Sequence, residues 1–308
     1  MAIEAANRIN GRATLTLSHS QRLRLHRIES WRWLRALAFD WAVIVAAFVA
    51  FGYSGRNLWL VPVVTLIVGS RLNGLGLLAH DAAHGVAFNG RRLNDWIGNV
   101  FCAWPMMLNI TDNYRAWHLD HHRYVGTDRD SEAVLLQRPL FRAPVPFRRI
   151  VACFVGDWFG LGLPTVVTFV RAVRPTRWTG FVGPVLLWTA VLVATVCLDA
   201  VWVMVLWVYC TAFGFFVIGR VRTWTEHIGS DATWAARRFR PGPVTRFLFF
   251  QHNAWHHYEH HLVPQVPFYN LPKVRALDPT ATTISARALF WDFAFHTDGA
   301  RSSPAPRG

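Results

Sequence analysis

Residues 58–85 read LWLVPVVTLIVGSRLNGLGLLAHDAAHG. Leu58 to Leu78 is an apolar run long enough to cross a bilayer core of about 30 Å as an α-helix, and it is followed at once by His80 and His84. At i and i+4 on a continuing helix both imidazoles share one face. The segment predicts a membrane helix that delivers two metal-binding side chains to the interface.

Immediately upstream, Leu34 to Tyr53 is another run of spanning length, with only Ser54 to Asn57 between the two. So tight a connection makes the helices antiparallel neighbours. A second pair reads Thr179 to Leu198 and Val201 to Ile218, with Asp199 near its turn. The basic segment 1–33 and Arg174, Arg177, Arg220 and Arg222 at the inner ends orient both pairs by the positive-inside rule. The expected fold is an all-α integral membrane protein, four transmembrane helices in two hairpins with a cytosolic histidine-rich helical cap. One domain over residues 1–308 is expected, with the histidine-rich face and both termini cytoplasmic; a bacterial inner membrane is the expected setting.

Two other apolar stretches compete with that count. Ile97 to Leu108 is too short to span, and Ile150 to Val170 is interrupted by Gly156, Asp157, Gly160, Gly162 and Pro164. Both read as interfacial or re-entrant helices. If only one of them crossed, the histidine groups would fall on opposite faces. The first thirty residues are polar and arginine-rich, so no cleavable signal peptide is expected. The tail 297–308, rich in Ser, Pro and Arg, reads as disordered.

The bulk composition agrees with a membrane setting: 53% hydrophobic against 16% charged. The net charge of +14 is nearly all arginine, Lys273 being the one lysine. These arginines flank the apolar runs instead of forming a basic stripe, which argues against a nucleic-acid partner. Cys102, Cys153, Cys197 and Cys210 lack C-x-x-C spacing and suggest neither a zinc site nor a disulfide framework.

Eleven of the fourteen histidines are clustered outside these runs. His118, His121 and His122 form H-x-x-H-H in WHLDHHRYVGTD, and His257, His260 and His261 repeat that spacing in HHYEHHLVP. Each such helix can offer three nitrogens to a pair of ions. His227, at the inner end of the fourth span, is a candidate lone ligand. Imidazole suits first-row transition metals, and nine nitrogens exceed the four that one zinc takes, so two ions are expected. Asp81, Asp120, Glu226 and Glu259 adjoin these histidines and are candidates for orienting them or, equally, for solvated surface carboxylates. His252 and His256 stay open as ligands, supporting donors or helix residues; His19, His26 and His296 read as surface or packing residues.

HDAAHG, HLDHHRYVGTD and HNAWHHYEHHLVPQVPFYNLPKV resemble the three histidine boxes of the membrane fatty-acid desaturase superfamily, over roughly Leu78 to Val274. That superfamily also contains alkane hydroxylases, carotenoid ketolases and hydroxylases, and sphingolipid desaturases. The resemblance implies a non-haem centre of two iron ions bound by His80, His84, His118, His121, His122, His227, His257, His260 and His261. A tyrosine commonly stands there where this chain has His256, so His257 inherits the ligand role. Asn253 is a candidate for a water-mediated contact with the metals.

The same resemblance implies an O2-dependent oxidoreductase of the fatty acid desaturase type acting on a lipid or acyl-carrier-linked substrate. The alternative is a hydroxylase or ketolase of an alkyl lipid or carotenoid. No iron–sulfur or haem-attachment motif is present, so an external ferredoxin, rubredoxin or cytochrome must supply electrons. Arg91, Arg92, Arg123, Arg237, Arg238 and Arg240 are candidates for steering that donor, with positive-inside topology as the plainer account. A bis-histidine haem carrier or a metal transporter would place histidines within the spans, and none lies there.

Overall fold

A computed structural model describes residues 7–9, 12–125, 127, 129–132, 147–227, 236–279, 283–285 and 288. A short helix α1 (His19–Leu25) precedes α2 (Ser30–Tyr53), and α3 (Val61–His84) follows a brief connection. At about 1.5 Å per residue, the 24 residues of α2 and of α3 each exceed a bilayer core. Next come α4 (Arg91–Gly98), α5 (Arg115–Tyr124), α6 (Phe147–Trp158), α7 (Leu163–Val173) and α8 (Thr179–Cys197). A π-helical turn, Cys210–Phe215, joins α9 (Val201–Tyr209) to α10 (Phe216–Glu226).

Four segments are long and apolar enough to cross a membrane: His19–Tyr53, Leu58–His84, Thr179–Cys197 and Val201–Glu226. These are the four runs read from the sequence. The last helix runs past Ile218 to Glu226 because its polar end finds partners, Arg220 on Asp157 and Arg222 on Glu226. The interrupted run becomes α6 and α7, bent by 76° around Gly160 at φ +82°, which makes them a broken span or a re-entrant loop. Residues 97–108 make no span: they hold a π turn (Asn99–Ala103) and a 3-10 turn (Trp104–Met106).

Such irregular backbone, buried among apolar side chains, needs internal partners for its carbonyls. Three indoles supply them. Trp41 Nε1 donates to the Phe101 carbonyl (3.1 Å), Trp188 Nε1 to Trp104 (3.3 Å) and Trp207 Nε1 to Pro105 (3.1 Å). Trp41 and Trp207 also stack on each other with centroids 5.7 Å apart.

The helix α3 is the hub. Within its apolar window 56% of residues are buried, against 28%, 17% and 33% for the other spans, whose free faces are left for lipid. It meets the π turn of the fourth span at bare backbone: a Cβ on Gly69 would lie 2.4 Å from the carbonyl carbon of Gly214. The hub also carries a buried ion pair, Arg71 Nη1 to Asp40 Oδ1 of α2 at 3.2 Å. Gly74 makes room for it, since a Cβ there would stand 2.3 Å from Asp40 Oδ2.

The remaining helices, α11 (Pro243–Phe249), α12 (His257–Leu262) and α13 (Leu271–Leu277), are short and cap one end of the spans. Here α1 docks: Leu25 is buried with Val266, Leu271 and Val274, and Asn270 Nδ2 donates to the Leu25 carbonyl (2.9 Å). The all-α expectation needs one correction. Two small sheets occur, β1 (Asn7–Ile9) antiparallel to β2 (Arg12–Thr14), and β3 (Arg238–Arg240) parallel to β4 (Thr283–Ser285). Three-residue strands carry too little periodicity to be read from the sequence. The tail 297–308 and His296 lie outside the described residues.

Candidate metal centre

The end of α3 is set by Gly85, at φ 76° in the left-handed region, one residue after His84. Its last carbonyls are not left bare. Arg115, the first residue of α5, donates from Nε to the Ala83 carbonyl (2.8 Å) and from Nη2 to that of Ala82 (3.0 Å), and Nη1 binds Asp95 Oδ2 (3.1 Å). A positive group at a helix C-terminus is favourable there. This clamp holds the start of α5 against the end of α3, so His118 and His122 face His80 and His84.

The imidazoles sort into two groups. His80, His84, His118, His122 and His260 form one, and His121, His227, His257 and His261 the other; within each group the chosen ligand atoms lie within 4.8 Å of one another. Nε2 meets Nε2 at 3.0 Å for His84–His118 and His118–His122 and at 2.9 Å for His122–His260. In the second group His227–His257 is 2.9 Å and His257–His261 is 3.0 Å. All nine histidines predicted from the sequence are thus brought together.

Their division was not predicted. On α5 the i, i+4 pair His118 and His122 belongs to the first group while His121 turns to the second. On α12 the assignment is mirrored: the pair His257 and His261 serves the second group and His260 the first.

The Nδ1 sides face supporting carboxylates. His121 Nδ1 donates to Asp130 Oδ1 at 2.8 Å, fixing Nε2 as the acceptor nitrogen. Asp81 Oδ1 is 3.7 Å from His80 Nδ1, and Glu226 Oε2 is 3.9 Å from His257 Nδ1. The other two orient no member of either group, and Asp120 takes the surface alternative. Asp120 is half exposed and lies 3.9 Å from Arg123, and Glu259 is spent on Arg238 Nε at 2.6 Å. That second pair also corrects the donor-steering set: Arg237 and Arg238 are buried, whereas Arg91 and Arg123 are exposed.

Neither His252 nor His256 joins the groups. His252 Nε2 lies 2.6 Å from Asp40 Oδ2, and His256 is buried with Nδ1 3.5 Å from Glu259 Oε2. Asn253 donates from Nδ2 to the Phe268 carbonyl (3.2 Å) and is likewise no member. His19 is exposed and His26 half-buried, as packing or surface residues should be. Sequence reasoning missed Asp130 and Arg115; the first stands in GTDRDSE directly after a histidine cluster, a signal that was available.

Burial makes these rings poor proton acceptors. It holds His118, His257, His260 and His261 well below the ordinary imidazole value and His122 down to about 2, with neighbouring rings adding to the effect. For His121 burial acts the same way, but Glu132, Asp130 and Glu226 outweigh it and the net shift is upward. Neutral imidazoles are the ligand form.

The donor set fits metal ions. Imidazole nitrogens about 2.1 Å from a first-row ion stand about 3.0 Å apart when adjacent in a six-coordinate shell, which is the Nε2 spacing here. His121 Nε2 is buried and has no hydrogen-bond partner, as expected of a nitrogen reserved for an ion. Beside the two groups opens a cavity lined by Leu108, Tyr114, Trp117, Phe169, Phe215 and Phe216, by His80, His118, His257 and His260, and by the charged side chains of Asp81, Arg220, Arg222 and Glu226.

Comparison with known proteins agrees. The family model described as Fatty acid desaturase matches residues 57–286. A beta-carotene ketolase of Paracoccus sp. (strain N81106 / MBIC 01143) is 31% identical over 68% of this chain and 76% of its own length. The sphingolipid delta(4)-desaturase/C4-monooxygenase of Homo sapiens is 27% identical over 83% of this chain and 80% of its own length. A dihydrorhizobitoxine desaturase of Bradyrhizobium elkanii is 25% identical over 81% and 77%. Apolar spans, converging imidazoles and the match over residues 57–286 lead to one conclusion: the chain belongs to the fatty acid desaturase family of membrane oxidoreductases.

Proposed function

We propose that the chain introduces a double bond into an acyl chain of a membrane lipid or carrier-linked substrate, using dioxygen and two iron ions. His80, His84, His118, His122 and His260 would hold one ion, and His121, His227, His257 and His261 the other. The observation that carries this reading is the junction of two imidazole groups with one aromatic-walled cavity. When bound, the iron pair supplies the reduction of dioxygen and the removal of hydrogen from an unactivated C–H bond.

The protein's own residues do the rest. Tyr114, Trp117, Phe169, Phe215 and Phe216 exclude water and hold an extended alkyl chain with one methylene facing the imidazoles. Asp130 fixes the tautomer and angle of His121, and Arg115 keeps α5 in register with α3. Electrons come from a separate ferredoxin, rubredoxin or cytochrome. In this reading the spans form two antiparallel pairs in a bacterial inner membrane, with the site and both termini cytoplasmic, and residues 1–308 act as one domain.

Ketone or alcohol formation at the same centre is the second reading, favoured by the ketolase relative. Expression with and without the gene, followed by mass spectrometry of total lipids, separates them. Loss of two hydrogens supports desaturation and gain of oxygen supports the second reading. An unchanged lipid profile in a host that supplies donor and iron would sink both.

A further inference from the structure

The short helix α11 has an apolar edge that the described residues leave exposed. Val244 and Phe247, at i and i+3 on one face, are 71% and 44% exposed. The helix packs beside a span: Ser70 Oγ of α3 donates to the Phe247 carbonyl at 3.1 Å, and Gln251 Nε2 donates to Ser70 Oγ at 2.9 Å. Ser70 lies within the spanning segment Leu58–His84. An apolar edge set against the outside of such a segment meets acyl chains.

Arg246, between those two side chains in sequence, turns away from the edge. Its Nε donates to the Pro241 carbonyl at 3.1 Å, ahead of the start of α11, and its guanidinium lies 4.4 Å from the centre of the Trp255 ring. Arg275 of α13 lies 5.0 Å from the same ring and is braced by the Phe239 carbonyl (3.4 Å) and Thr283 Oγ1 (3.1 Å). Arg240, at the end of β3, is exposed. Burial first, and then Arg238, Arg240 and Arg246, push the Arg275 pKa below the ordinary guanidinium value against the pull of Glu259. These cations are close enough to repel one another.

The nearby carboxylates are engaged elsewhere. Glu259 and Asp278 are buried and lie 2.6 Å and 3.6 Å from Arg238. Among the described residues, no carboxylate forms an ion pair with Arg240, Arg246 or Arg275. Three positive groups thus gather around one indole, next to an exposed apolar edge, without a counter-ion.

We propose that this face holds one anionic glycerophospholipid. Arg240, Arg246 and Arg275 take its phosphate beside Trp255, and its acyl chains run along Val244 and Phe247. Guanidinium forks suit phosphate oxygens, and indoles suit the boundary between head groups and chains. Basic pockets beside spans are where anionic head groups lodge. An acidic protein would match the charges but not the apolar edge against α3. The assignment is independent of the reaction proposed above.

The test titrates full-length protein in detergent with phosphatidylglycerol and, separately, with phosphatidylcholine of the same chains, and native mass spectrometry counts lipid retained per chain. Wild type should keep one phosphatidylglycerol at concentrations where phosphatidylcholine is lost. Each arginine beside a lipid phosphate is worth about fivefold in affinity, so Arg240→Gln/Arg246→Gln/Arg275→Gln should weaken retention by at least about thirtyfold. Removing the same charge elsewhere, with Arg91→Gln/Arg92→Gln/Arg123→Gln, should change it by less than about threefold. Val244→Asp should weaken retention by at least about fivefold, because the chains lose their track.

Three outcomes overturn the assignment. Unchanged retention in the first triple variant removes the arginines from any lipid site, and a soluble acidic protein whose binding that variant abolishes would then own the face. Equal loss in both triple variants reduces the effect to diffuse positive charge. Displacement of the lipid by inorganic phosphate at equal concentration, with Val244→Asp silent, leaves a phosphate site without chains. Thermal melts of the variants, expected to match wild type, exclude misfolding. Should the triple variant melt early, Arg240→Gln alone carries the test: its side chain makes no hydrogen bond among the described residues, and a loss of about fivefold is expected.

Discussion

The buried pair Asp40–Arg71 offers the sharpest test of how the spans are held. Both side chains are essentially sealed, at 0% and 2% exposure, and the carboxylate is shared by Arg71 Nη1 at 3.2 Å and His252 Nε2 at 2.6 Å. Replacing Asp40 by Ala removes the counter-charge but leaves the guanidinium in place, with Ser70 Oγ (2.7 Å) and the Phe247 carbonyl as its remaining partners. Breaking a buried pair in this way costs about 3–5 kcal/mol. Removing both charges, as in Asp40→Ala with Arg71→Met, should cost less than the single change, because no uncompensated ion is then buried. The assay is a double-mutant cycle read by tryptophan fluorescence during denaturation in mixed micelles. A coupling of at least about 2 kcal/mol is expected. Additive losses, within about 0.5 kcal/mol, would refute the claim that the two charges act as a unit.

Gly69→Leu should fail to fold or lose well over about 1–3 kcal/mol, because its Cβ meets Gly214 backbone at 2.4 Å and backbone cannot step aside; retention on size exclusion reports it. Asp130→Ala should weaken metal retention by roughly 10- to 100-fold through loss of the His121 Nδ1 bond, measured by chelator competition. Metal-free protein should melt lower at pH 5.5 than at pH 7.5. His118, His257, His260 and His261 are held neutral by burial, so below the unfolded value near 6.5 the unfolded chain takes up more protons and stability falls. The loss approaches about 1.4 kcal/mol per pH unit for each such ring, and equal melting temperatures at the two values would contradict it.

Much of this is legible in the sequence. The four spans could be read because twenty or so apolar residues in a row have few other homes, and six of the histidines because their spacing repeats. What escaped shares a physical cause: it depends on which element stands opposite. Spacing puts His118, His121 and His122 on adjoining faces of one helix but does not say that His121 looks away from α3. Asp40 and Arg71 lie in different apolar runs, and only the packing of α2 on α3 brings them together. Arg238 looks like any surface arginine until Glu259 is found beneath it. Asp130 reaches the site by a turn that no periodicity describes.

The π turn at Cys210–Phe215 has a consequence for the phase of everything beyond it. Each π turn admits one residue more than an α-turn, and one residue is about 100° of rotation. Without that extra residue, the face of α10 bearing Arg222 and Glu226 would be turned by about a quarter revolution, and the bond from His227 N–H to the Thr223 carbonyl would carry His227 with it. The span therefore keeps two azimuths, one tuned to the Gly69–Gly214 crossing and the other to the imidazoles, with Cys210–Phe215 as the vernier between them.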